Sequence, residues 1–173
     1  MERDIEVYET HQIPNNEENL ANIVRFLELN KSPNSSIDSV SYYFGRSLDY
    51  NNWRLTTTTF ETVKYSGKLA LLSNFTLKRN LTRLHGSAAG QVNHIMEAGF
   101  AIRDEISDYL TKNSSVYFQE ENADLTFLKD KEFKNLMHRW KIATEWKITE
   151  YKKITKECKI VLEEIDKEIK KLE

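Results

Sequence analysis

Apolar side chains return every third or fourth residue along two long stretches, and this constrains the chain more than any other feature. From Phe75 the series runs Leu77, Leu81, Leu84, Ala88, Val92, Ile95, Gly99, Ile102, Ile106 and Tyr109. From Asp130 a second series runs Phe133, Met137, Trp140 and Thr144, then Tyr151, Ile154, Cys158, Val161, Ile165, Ile169 and Leu172. Steps of three and four place these side chains on one face of a helix, as in the seam of an antiparallel bundle. The spacing predicts two long helices, over about 75–111 and 130–172. The second would span roughly 65 Å at 1.5 Å per residue. Only 5 Gly and 2 Pro occur in 173 residues, too few for the turns of a sandwich or barrel. The expected fold is all-α: an antiparallel bundle of about four to six helices forming a single domain over 1–173.

Shorter segments fill in the bundle. Ile5, Tyr8 and Gln12 suit a short helix that Pro14 interrupts. Asn15 and Glu18 resemble a capping box for a helix with Leu20, Ile23, Val24 and Leu27 on one face, and the turn residues 31–35 end it. Ser36 is an N-cap candidate, followed by Ile37, Val40, Phe44 and Leu48, with Tyr42, Tyr43 and Tyr50 beside them. Thr58 with Glu61 reads as a capping box for a two-turn helix that stops at Ser66-Gly67. Leu69, Leu71 and Leu72 then precede Ser73-Asn74, the cap of the first long helix, in which Gly86 and Gly90 permit a bend. Between the long helices Val116, Tyr117 and Phe118 are expected inward, and 119–122 wet.

Charge and termini narrow the classes. Lys+Arg number 25 against 27 Asp+Glu, a net charge of -2, which disfavours general nucleic-acid binding. A single cysteine, Cys158, allows no intramolecular disulfide and no thiolate-rich zinc site. It suits a reducing cytoplasm and equally an exported protein without disulfides. The first residues are charged where a signal peptide is apolar, and no run reaches the ~20 apolar residues of a membrane span.

The stretch Thr58-Thr59-Phe60-Glu61-Thr62-Val63-Lys64-Tyr65-Ser66-Gly67-Lys68-Leu69-Ala70-Leu71-Leu72-Ser73-Asn74 resembles an uncharacterised family of helical proteins from Bacteroidetes-type bacteria, the domain-of-unknown-function 6090 group. In that family the pattern Thr/Tyr-Phe/Tyr-Glu-x-Leu-Lys-x-Ser-Gly-x-Leu-x-Leu-Ile-x-Asn is typical. Phe60, Glu61, Lys64, Ser66, Gly67, Leu69 and Asn74 match, with Val63 standing for the usual Leu and Leu72 for the usual Ile. The resemblance covers under half the chain, at 38–112. It implies a helical domain outside the cytoplasmic membrane, following one transmembrane helix that this sequence lacks. It implies a periplasmic or membrane-tethered address and supplies no activity.

Chemical constellations are sparse. His94 and Glu97 lie three apart on a helix and could share a metal, with His138 as a third ligand from the other long helix. His85, nine residues earlier, is about 180° around the helix. A hydrogen-bonded or solvated His94–Glu97 pair is the plainer reading. Cys158 sits on the apolar stripe and reads as core. Residues 86–90 lack the ending of a phosphate loop. Lys78, Arg79, Arg83 and His85 form one basic patch; Lys129, Lys131, Lys134, Arg139 and Lys141 form another beside Trp140 and Trp146. Single-stranded nucleic acid or anionic lipid could use them, although solvated helix faces account for both. Glycosylation triplets begin at Asn34, Asn74, Asn80 and Asn113, where helix caps explain Ser and Asn equally well.

The expectation is therefore a non-enzymatic helical domain, the soluble part of a membrane-anchored bacterial protein. It has no catalytic, cofactor or metal residue assigned, and it would meet a protein partner or its own copy through the long C-terminal helix. Membrane attachment would come only through a segment absent from this chain. The alternative is a small-molecule or metal-binding bundle using His94, Glu97 and His138.

Overall fold

A computed structural model describes residues 1–32, 35–49, 51–113 and 126–171. The protein is an all-α helical bundle, with no strand among the described residues. Its helices are α1 (Glu2–Val7), α2 (Ile13–Leu29), α3 (Ile37–Ser47), α4 (Thr58–Tyr65), α5 (Phe75–Arg83), α6 (Ala89–Asn113) and α7 (Lys131–Ile169). π-turns at Tyr8–Gln12 and Leu84–Ala88 join α1 to α2 and α5 to α6. The expected inward residues 116–118, the wet 119–122, and Pro33, Asn34, Tyr50 and Leu172 lie outside the described residues.

Two of the expected starts are corrected. Pro14 does not interrupt the first helix. The turn before it widens, with the Ile13 N–H bonded to the Tyr8 carbonyl five residues back. This gives the proline ring room where an ordinary turn would drive it into the carbonyl four residues earlier. Asn15 is consequently inside a helix and caps nothing, and Glu18 pairs instead with Arg46 at 3.0 Å. Thr58 is likewise the first residue of α4, and the preceding Thr57 makes no side-chain cap bond. Glu61 turns to Lys64, 3.6 Å away.

Other local expectations hold. The Ser36 hydroxyl accepts from the Ser39 N–H at 3.2 Å, and Asn74 accepts from Leu77 at 3.0 Å. Gly67 closes α4 at φ 73°, a left-handed conformation that costs any Cβ-bearing residue. The second π-turn contains Gly86, while Gly90 lies within α6.

Contacts gather into two compact units. The first comprises Met1–Pro14, Asn52–His94 and Thr149–Glu173. In it Tyr8, Leu55, Phe60, Leu77, Leu84, Val92, Tyr151, Ile154, Cys158 and Val161 are buried. Tyr8 tilts against Tyr151 with 5.1 Å between ring centres. Asn74 and Asn80 meet Glu168 and Glu164, so α5 runs antiparallel to the end of α7.

The second unit comprises Asn15–Asn51 and Ile95–Ile148. Its core gathers Ile23, Phe26, Val40, Phe44, Ile102, Ile106, Tyr109, Phe133, Met137 and Trp140. Phe133 sits edge-on to Phe26, Phe44 and Phe127 at 5.2–6.1 Å, an arrangement that aromatic quadrupoles favour. Arg139 grips Glu105, and the Tyr109 hydroxyl donates to Asp130 at 2.7 Å. These pairs set α6 antiparallel to α7.

Candidate functional site

In the second unit the apolar stripe of α2 (Ile23, Phe26, Leu27) continues backwards as two buried asparagines, Asn19 and Asn16. Their burial is explained by the Asp49 and Asn51 carbonyls, which lie outside any helix and need donors. Asn19 donates to the Asp49 carbonyl, and Asn16 to that of Asn51 at 3.5 Å. From α7 the Lys147 ammonium donates to the same Asn51 carbonyl at 3.2 Å. Lys147 is only 3% exposed, and burial lowers its pKa to about 7. Water solvates an ammonium far better than a packed interior does. Beside these bonds lies a cleft of about 220 Å³ lined by Asn15, Glu18, Asn19, Asn22, Asp49 and Asn51. Amides and carboxylates there offer acceptors to a small N–H-bearing solute. The Asn16 and Asn19 amide nitrogens, however, face the Asn51 and Asp49 carbonyls, so the arrangement first serves to hold those two residues.

The first unit has its own buried polar centre at Asp4. One of its carboxylate oxygens accepts from the Trp53 indole at 3.1 Å, the Thr56 N–H at 3.2 Å and the Thr56 hydroxyl at 2.9 Å. Burial opposes the charge, but these bonds outweigh it and hold the carboxyl below its ordinary pKa. The Trp53 backbone is held as well: its N–H donates to the Tyr151 hydroxyl at 3.2 Å, and its carbonyl accepts from Tyr8 at 3.4 Å. Residues 53–56 are thereby fastened to α1 and α7. Cys158 is fully buried, and burial pushes its thiol up to about 12. That leaves essentially no thiolate for nucleophilic work near neutrality. His85 stacks flat on Phe60, ring centres 4.4 Å apart, and burial lowers its pKa toward the neutral ring.

The metal candidates are placed as follows. His94 and Glu97 are exposed on α6, and His138 is exposed on α7. Among the described residues no three His, Cys, Asp or Glu side chains gather as a metal ligand set. The basic patches are partly neutralised: Arg83 lies 3.6 Å from Glu157, Lys141 bonds Glu145 at 2.7 Å, and Arg139 holds Glu105. Trp140 is buried, its indole donating to the Ser47 carbonyl at 2.6 Å, so it cannot stack on a base. Trp146 remains exposed. Asn74 and Asn80 are bonded to glutamates of α7.

Sequence reasoning missed Lys147, the Asn16–Asn19 pair and Asp4. A signal existed for each. Lys147 fills the gap between Thr144 and Tyr151 at steps of three and four. Asn16 and Asn19 extend the α2 stripe by the same spacing. Asp4 precedes Tyr8 and Gln12 at steps of four on the buried face of α1.

No helix among the described residues is long and apolar enough to cross a membrane. No protein-family model, characterised protein or solved structure matches the chain.

Proposed function

We propose that the chain is a non-enzymatic helical interaction module that pairs with a second copy of itself through the outward face of α7. The observation that carries this reading is Trp146, 64% exposed, one helical turn from Ile142, 47% exposed, on a helix whose inward stripe is buried from Phe133 to Val161. Tryptophan beside an aliphatic side chain, ringed by charges, is the composition of an interface centre. The surrounding charges are mixed in sign: Arg139, Lys141, Glu145 and Glu150. A two-fold contact places each patch against its own copy, and mixed signs can complement themselves where one sign would repel.

The stripe toward the C-terminus supports less of the association than its spacing implies, because Tyr151, Ile154, Cys158 and Val161 are buried within the first unit. The resemblance at 58–74 adds an address to the proposal, the outer side of a bacterial cytoplasmic membrane. Sedimentation equilibrium tests the pairing. Wild-type protein should dimerise at micromolar to high-micromolar concentration, and Trp146→Ser should weaken the dimer about tenfold or more while keeping its helicity. A wild-type chain that stays monomeric throughout that range overturns the proposal.

A further inference from the structure

We propose that one end of the first unit binds the surface of an anionic lipid bilayer. From Thr62 to Met96 the chain carries Lys64, Lys68, Lys78, Arg79 and Arg83 and no Asp or Glu, within a protein of net charge -2. The same stretch presents the most exposed large apolar side chains of the described residues: Tyr65 at 80%, Leu71 at 82% and Phe75 at 73%. Each stands at the end of an element: Tyr65 closes α4, Leu71 closes the short 3₁₀ turn Lys68–Leu71, and Phe75 opens α5. Asn74 bonds Glu168 at 2.8 Å, and Asn80 bonds Glu164 at 3.0 Å. These bonds bring the start of α5 beside the end of α7, where Ile169 is half-exposed and Lys167, Lys170 and Lys171 are exposed.

The charges sort into engaged and unengaged. Glu61 meets Lys64, Glu157 meets Arg83, and Glu168 meets Lys171. Lys68, Arg79, Lys167 and Lys170 enter no ion pair among the described residues, and on α7 neither do the exposed Glu163 and Asp166. Unpaired cations around protruding apolar tips fit an interface with anionic headgroups: the tips enter the boundary between headgroups and acyl chains while the cations meet phosphates. A second copy fits poorly, because a two-fold contact would set like charges face to face. Nucleic acid gives Leu71 and Ile169 no role, since neither can stack on a base.

Vesicle sedimentation with the full chain tests this. Binding to vesicles containing about 30% phosphatidylglycerol should exceed binding to pure phosphatidylcholine by about tenfold or more, and should fall when salt is raised from about 0.1 M to about 0.5 M. The variant Leu71→Ser/Phe75→Ser, at exposed positions, should lose about tenfold in binding with its circular dichroism unchanged. Trp146→Ser should bind vesicles as wild type does, so failure of the α7 pairing and failure of the lipid surface read out separately. Equal partition to both vesicle types overturns the proposal, as does wild-type binding by the double variant, or association of the protein with single-stranded oligonucleotide but not with anionic vesicles.

Discussion

Replacing Lys147 by methionine removes a buried ammonium while keeping the length of the side chain. The pKa of Lys147 falls from 10.5 to about 7 on folding. The sign follows from proton uptake. Between these values the unfolded chain binds a proton that the folded one does not, so this group lowers stability as pH falls and returns it as pH rises. Below pH 7 both states are protonated and the cost is constant; above 10.5 it vanishes. At about 1.4 kcal/mol per pH unit, the cost is about 4 kcal/mol at pH 7 and about 2 kcal/mol at pH 9. The methionine variant has no such term. It also gives up the bond to the Asn51 carbonyl, worth about 1–3 kcal/mol, and that loss does not depend on pH. Urea unfolding of both proteins at pH 7, 8 and 9 separates the two effects. The stability difference between variant and wild type should shrink by about 2 kcal/mol across that range. Curves that stay parallel to within about 0.5 kcal/mol would refute the reasoning, because they would show that Lys147 keeps its proton when folded.

Three further outcomes follow from the geometry. Asp4→Ala strands the Trp53 indole and both Thr56 donors, and should cost about 2–4 kcal/mol in chemical denaturation. Because the Asp4 pKa is lowered on folding, its contribution is present above about pH 4 and lost as pH falls through the folded value, so variant and wild type should converge in acid. Gly67→Ala forces a Cβ into the left-handed region and should lower stability by about 1 kcal/mol, read as a downward shift in Tm. Cys158 should be silent toward a thiol reagent in native protein and react once the chain is unfolded in urea; rapid labelling of the native state would contradict its burial.

The helices themselves were legible because a 3.6-residue period is written directly in Leu77 through Tyr109 and in Phe133 through Val161. Caps were readable where a short polar side chain had no competing role, as at Ser36 and Asn74. Asn15 was misread because the chain before it stays helical, and Thr58 because α4 begins at that residue and not after it. Pro14 looked like a break because sequence spacing does not reveal a π-turn, which absorbs one extra residue without interrupting the helix. The buried polar groups escaped for another reason. Asp4, Asn16, Asn19 and Lys147 fall on core faces, but their burial is matched by backbone groups 30–96 residues away or by Trp53 and Thr56. Local spacing carries no information about such partners. The exposed tips Tyr65, Leu71 and Phe75 were visible as apolar residues, yet only three-dimensional placement shows that they stay largely exposed.

The widened turn at Tyr8–Gln12 has a consequence for how the chain can change. It counts one residue more than an ordinary coil of the same rise, and that extra residue is what gives the Pro14 ring its room. Excising one residue there would restore the ordinary four-residue bond with the flanking segments nearly in phase, and would bring the Pro14 ring back against the carbonyl four residues earlier. Side chains in this stretch can therefore be exchanged far more freely than its length can be altered.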